Sequence, residues 1–182
     1  ALTAHPAQAA DSSIEPDVSS PVPLAAGLGP YYALPSWDRK MGVVNRFVVL
    51  TDSNSAAVLD KETGLVWERT PSPTNNFFWL EARSHCAALT TGNHSGWRLP
   101  SVHELASLVD PTKGTPALPA GHPFVIPQPI VNVHWTATTN AADATKVWFQ
   151  NLENGSVDDF APKLTGLGNA WCVRGGMNAD VY

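Results

Sequence analysis

Prolines divide this chain before any other feature does. Six of its 16 prolines (Pro6, Pro16, Pro21, Pro23, Pro30 and Pro35) fall within the first 36 residues, with three acids (Asp11, Glu15, Asp17) and no Lys or Arg. A pyrrolidine ring fixes φ and removes a backbone donor, so this density excludes helix interiors and central strands. The expectation is an extended, solvated arm over residues 1–40 and a single folded domain over residues 41–182. The distal end of the arm, Tyr31-Tyr32-Ala-Leu-Pro-Ser-Trp37, is aromatic enough to dock on that domain or on a partner.

At 182 residues the chain has room for one well-cored domain but not two ordinary ones. Only 15% of its residues are charged, yet it holds 7 tryptophans, a profile suited to a rigid, aromatic-cored extracellular domain. The net charge is −5, of which residues 1–36 carry −3, leaving 13 acids against 11 bases in the remainder. Such a balance argues against nucleic acid, because no basic excess exists to displace counterions from phosphates. Aliphatic and aromatic runs stop at about four residues, as in Phe47–Leu50, so no segment reads as a membrane span. Two cysteines, Cys86 and Cys172, are too few for a zinc site and too far apart for a redox pair. They are either a bridge or two buried thiols; export favours the bridge. The opening Ala1-Leu-Thr-Ala-His-Pro-Ala fits the mature end left by a removed secretion signal.

Within the domain, Arg46–Leu50, Ala57–Asp60 and Leu65–Trp67 read as strands, the last two joined through Lys-Glu-Thr-Gly64. Asn76–Leu89 carries Phe78, Ala82, Cys86 and Leu89 at helical spacing. Ser101-Val-His-Glu104 is a capping box that opens a second helix with Leu105, Leu108 and Val109 on its core face. Short strands follow at Val133–Ala137, Val147–Asn151 and Ala170–Arg174, and Asn154-Gly155 suits a type I′ hairpin. Helices early and short strands on both sides indicate an α+β class.

No constellation for chemistry emerges. His85, His94 and His103 are nine apart, a period that fits no ligand pair, and His103-Glu104 lacks the second His of a zinc-protease motif. Asp158-Asp159 is compatible with calcium but not indicative of it, since the ordered oxygen ligands of an EF-hand loop are missing; neither a cofactor nor a metal is expected. There is no Gly-x-Ser-x-Gly elbow and no Gly-rich phosphate loop, so the chain does not read as an enzyme.

Several segments together are similar to one known family. They are Val58-Leu-Asp-Lys-Glu-Thr-Gly-Leu-Val-Trp67, Trp79-x-Glu-Ala82-x-x-x-Cys86-x-x-Leu89, Gly96-Trp-Arg-Leu-Pro-Ser-Val-His-Glu-Leu-Ala-Ser-Leu-Val-Asp110, Trp135-Thr-Ala-Thr138, Asn154-Gly-Ser-Val157 and Trp171-Cys-Val-Arg174. They resemble the domain at the C-terminus of the Legionella collagen-like adhesin, also found in many bacterial surface proteins. The resemblance spans about residues 44–176. Asp60, Thr63, Gly64, Trp67, Trp97, Arg98, Leu99, Pro100, Glu104 and Arg174 are its signature positions. It implies a C-type-lectin-like fold, two helices on short antiparallel sheets with long loops, and a Cys86–Cys172 disulfide. Arg98 is expected to be structural, tying loop carbonyls or a carboxylate such as Asp60 or Glu104.

The functional expectation is a non-catalytic binding module, secreted, periplasmic or on the surface of a bacterium. It would recognise a polysaccharide or a protein through a face drawn from Pro111–Pro129, Thr138–Lys146 and Gly155–Asn169. Trp148, Asn154, Asp158, Asp159, Lys163 and Asn169 are the candidate ligand residues. The alternative is an accessory subunit of an extracellular assembly, docked through the arm of residues 1–40.

Overall fold

The computed structural model describes residues 41–72, 77–127 and 133–175. The arm expected at residues 1–40, and with it the docking role expected of Tyr31–Trp37, lies outside the described residues. A helical turn, α1 (Val43–Arg46), leads into the strands β1 (Phe47–Leu50), β2 (Ala57–Asp60) and β3 (Leu65–Glu68). Helix α2 (Trp79–Ala88), strand β4 (Trp97–Arg98) and helix α3 (Val102–Ala106) follow. The chain then forms β5 (Val133–Thr139), β6 (Lys146–Asn151) and β7 (Val157–Pro162), and closes with β8 (Val173–Arg174). One sheet has the order β1-β2-β3-β8-β4 and the other β5-β6-β7, all pairs antiparallel. The class is α+β, as expected.

Local chemistry accounts for the elements. Gly64 takes φ +74 to close the β2–β3 hairpin, a backbone conformation that costs a Cβ-bearing residue more. At the start of α3, the Ser101 hydroxyl accepts from Glu104 N–H at 3.2 Å, and Ser101 N–H donates to Glu104 Oε2 at 2.8 Å, the reciprocal box expected. The box is locked from the side by Arg98, which donates to both Glu104 oxygens (2.8 and 2.6 Å) and to the carbonyls of Leu99 and Gly175. The structural reading of Arg98 holds for Glu104. Asp60 has a different partner, Arg46.

Two buried clusters fill the interior. One gathers Trp79, Ala82, Cys86, Trp97, Trp135, Val147 and Phe149, the other Val58, Trp67, Leu105, Leu108, Phe124, Leu152 and Trp171. Indole N–H groups stitch loops to the clusters. Trp79 donates to Thr136 O, Trp97 to His94 O, Trp135 to Phe77 O and Trp171 to Glu68 O, each at 2.8–2.9 Å. The Cys86–Cys172 disulfide ties α2 to the residue preceding β8.

Several expectations change. Arg46 does not begin a strand; it ends α1, buried, and its guanidinium meets Asp60 at 2.9 and 2.8 Å, Glu62 at 3.0 Å and Ser107 O at 2.8 Å. Phe78 is not on the core face of α2: it is the extended N-cap residue and 41% exposed. The strand expected over Ala170–Arg174 shrinks to Val173–Arg174. Gly155–Asn169 is not a free loop, because β7 occupies much of it as the third strand of its sheet. The Pro111 loop buries Ala117, Leu118 and Phe124, and Pro129 lies outside the described residues. Asn154-Gly155 is not type I′ either. Only Gly155 has positive φ, and Asn154 Oδ1 accepts from Ser156 N–H instead.

Asp60 is fully buried and accepts from Arg46, Glu62 N–H and the Thr63 hydroxyl, so its charge is compensated from several directions. Removing one partner of such a pair strands the other in a low-dielectric interior. Asp60→Ala is expected to cost about 3–5 kcal/mol in urea unfolding. A loss under about 1 kcal/mol would contradict this reading of the pair.

Two other buried groups titrate abnormally. Burial pushes the Glu68 carboxyl up from 4.5 to about 7, against the lowering effect of hydrogen bonds from Cys172 N–H and Thr91. Burial also pushes His134 down from 6.5 to about 4. Between pH 4.5 and 7 the folded chain keeps a proton on Glu68 that the unfolded chain has released, so this group lowers stability as pH rises. Between pH 4 and 6.5 the unfolded chain takes a proton that buried His134 refuses, so this group lowers stability as pH falls. The slopes oppose each other where the windows overlap. Unfolding free energy of Glu68→Gln is therefore expected to rise with pH from 4 to 6.5, and that of His134→Gln to fall from 4.5 to 7. Parallel profiles for wild type and both variants would refute the assignment.

Candidate functional site

The second sheet separates the candidate ligand residues into two groups. At the β6–β7 turn, Asn154 is exposed and holds Ser156 N–H, while Asp158 accepts the Ser156 hydroxyl at 2.9 Å. The next residue, Asp159, is held by Asn140 at 2.6 Å, and at the other end of the sheet Lys163 Nζ donates to Thr139 Oγ1 and Ala144 O at 3.0 and 2.7 Å. Trp148 lies between them on the central strand β6, half-buried, its carbonyl accepting from Thr136 Oγ1. Asn169 is buried, and its backbone bonds to Val133 and Trp135 in β5. The six do not converge on one point.

Lys163 belongs to the better-formed face. Its ammonium lies 4.5 Å from the centroid of the Trp79 ring, and the Arg83 guanidinium carbon lies 4.8 Å from the same ring. A cation over an indole face is attracted by the ring quadrupole, so Trp79 holds both charges in place. In the sequence Trp79 appears only as part of the segment that carries the family resemblance. It is buried, and it also acts as the platform for these two cations.

Phe77 and Gly168 exchange backbone hydrogen bonds at 2.8 and 3.1 Å across an antiparallel bridge. Next to this isolated bridge in the chain, Phe78 and Leu167 are 41% and 48% exposed. Leu164, 77% exposed, follows Lys163 directly. These three exposed apolar side chains adjoin Trp79, Lys163 and Gly168 in sequence, and Lys163 and Arg83 both sit on the Trp79 ring; together they are termed the strip. His85 on α2 packs against Phe77, with ring centroids 4.9 Å apart, and burial holds its pKa below the ordinary histidine value. Near neutral pH it is uncharged, and the two named cations carry the positive charge.

The neighbouring acid is already balanced. Asp143 on the β5–β6 turn pairs with Lys146 at 3.3 Å, and bonds from Thr145, ahead of Lys146, hold its pKa below the usual carboxylate range. Among the described residues, neither Lys163 nor Arg83 has a carboxylate partner within ion-pair distance. The signals that sequence reasoning missed were Phe78, Arg83 and Leu167. Each becomes legible only once the Phe77–Gly168 bridge brings α2 beside the segment after β7.

Among the described residues, no group of three or more His, Cys, Asp or Glu could hold a metal ion. No helix among them is long and apolar enough to cross a membrane.

Gly168 positions the whole strip. A Cβ there would lie 2.7 Å from Val133 Cγ1 and 3.0 Å from Trp135 Nε1. Gly168→Ala is expected to cost roughly 1–3 kcal/mol through overpacking. It should also speed hydrogen exchange at the Phe77 amide, which Gly168 O accepts. Unchanged exchange at Phe77 would show that the bridge is not what holds the strip.

Residues 56–174 match a known family, described as Lcl C-terminal domain. A comparison with curated proteins found no match.

Proposed function

Since this chain belongs to the Lcl C-terminal domain family, we propose that it is a non-catalytic binding module of an extracellular or surface protein of a bacterium, with its ligand face around Trp79 and Lys163. Family membership and the Cys86–Cys172 disulfide both favour that setting, since such bridges persist in oxidising compartments. The C-type-lectin-like assignment draws support from two antiparallel sheets, two flanking helices and a disulfide from the first of those helices to the residue before the closing strand.

One observation carries the functional reading: exposed Phe78 directly precedes Trp79, whose indole holds two cations lacking carboxylate partners among the described residues. Exposed apolar surface costs solubility and marks contact sites when charged groups rim it. Two cations are too few for a dense polyanion. They suit a polysaccharide whose sugar faces pack on Phe78 and Leu167 while polar or occasional acidic groups meet Lys163 and Arg83. A protein with an acidic, apolar surface is the other ligand class that fits.

A glycan array with the disulfide-intact chain, at two salt concentrations and with or without calcium, tests the reading. Lys163→Ala and Phe78→Ala are each expected to weaken any hit about tenfold, near 1.4 kcal/mol. Hits that both variants bind as tightly as wild type would place the ligand elsewhere and contradict the proposal. Silence across the array would exclude the polysaccharide class.

A further inference from the structure

The strip formed by Phe78, Leu167 and Leu164, with Lys163 and Arg83 at its border, presents an apolar surface and two positive charges. The part of this chain outside the described residues has the complementary chemistry. Residues 1–36 carry Asp11, Glu15 and Asp17 with no basic residue, and Tyr31, Tyr32, Leu34 and Trp37 supply apolar contacts. We propose that the acidic, aromatic segment Asp11–Trp37 folds back onto the face around Trp79 and Lys163 and occupies it until an external ligand displaces it. This names an internal occupant for the face read above as ligand-binding, and it rests on that reading only for its regulatory consequence.

Three physical arguments favour the chain's own arm over a foreign occupant. The first is charge. Residues 1–36 contribute −3 of the net −5, and two cations without carboxylate partners among the described residues border the strip. Acidic groups placed near them gain attraction without displacing an existing ion pair.

The second is reach. Tyr31 is ten residues before the first described residue, and an extended chain covers about 35 Å in ten residues. A domain of roughly 140 residues has a radius of gyration near 14 Å, so that length spans most of its width. The acids at positions 11–17 have more slack still.

The third is entropy. Prolines at 16, 21, 23, 30 and 35 restrict the free chain, so less freedom is lost on docking. Extended Pro-rich segments commonly dock against apolar and aromatic surfaces. Tethering through a short linker gives an effective concentration of about millimolar, so a contact too weak to detect between separate molecules is well populated within one.

Zero-length carbodiimide crosslinking of the full chain reads the contact without any external ligand. It joins a carboxylate to a lysine amine only when the two touch. In the monomer fraction, Asp11, Glu15 or Asp17 is expected to couple to Lys163 at least five times more than to Lys61 or Lys113. The Phe78→Ser/Leu167→Ser variant should lower that Lys163 yield at least threefold, with circular dichroism and the Cys86–Cys172 bridge unchanged. Equal coupling to all three lysines would overturn the proposal. So would Lys163 crosslinks found only in dimers, which would make a second copy the occupant. Absent crosslinks with intact glycan binding would remove the internal occupant alone, and crosslinks with a silent array would remove the polysaccharide reading alone.

Discussion

The position of α2 decides whether this molecule has a ligand face at all, and a ten-residue helix has little means of fixing its own position. Isolated helices of that length are marginal in water. Only Trp79, Ala82 and Cys86 of α2 are buried, so its packing stripe is narrow. Two constraints compensate. The Cys86–Cys172 bridge closes a loop of 86 residues and links the helix to the segment leading into β8. At the opposite end of the helix, the Trp79 indole donates to Thr136 O in β5 at 2.8 Å. Together they hold α2 against both sheets, and the Phe77–Gly168 bridge ties the residue before its N-cap to the segment after β7.

Buried charge organises the remainder. Arg46 connects the β2–β3 hairpin to the end of α3 through Asp60 and Ser107 O. Arg98 connects β4 to the start of α3 through Glu104 and to the chain after β8 through Gly175 O. Each guanidinium offers five donors in a planar fork, which lets one side chain serve a carboxylate and a carbonyl at once. Glu68 extends the scheme to the disulfide. Its carboxyl accepts Cys172 N–H at 3.0 Å, and its carbonyl accepts the Trp171 indole, so β3 grips the closing segment from two sides.

Local signals in the sequence were read correctly where the physics is local. The Ser101–Glu104 box and the Gly64 hairpin each involve residues within four positions of one another, and both formed as expected. Long-range partners were harder. Arg98 to Glu104 spans six positions and was anticipated, whereas Arg46 to Asp60 depends on α1, a turn of Val-Val-Asn-Arg with no strong helical signature. Strand β7 was hidden because Val-Asp-Asp-Phe-Ala-Pro carries two acids and a proline, which depress strand propensity. Those same residues suit an edge strand, where charge and proline discourage pairing with another chain. Phe78 was misplaced because a helical period was applied to a residue that precedes the helix with extended φ and ψ. Lys163 was picked out from its loop, while Arg83 and Leu167 gave no sign of meeting it until tertiary contacts were known.

The account stands or falls on which end of the second sheet meets the ligand. Nitrogen-15 NMR of the indole N–H signals, recorded while a soluble glycan is titrated into the intact chain, separates the two ends directly. Trp79 reports the strip at α2, and Trp148 reports the middle strand away from it. The account predicts that the Trp79 signal and the Phe78 and Leu167 amides shift on binding, with Asn154, Ser156 and the Trp148 indole nearly unmoved. Shifts at Trp148 and the β6–β7 turn with a stationary Trp79 would contradict it.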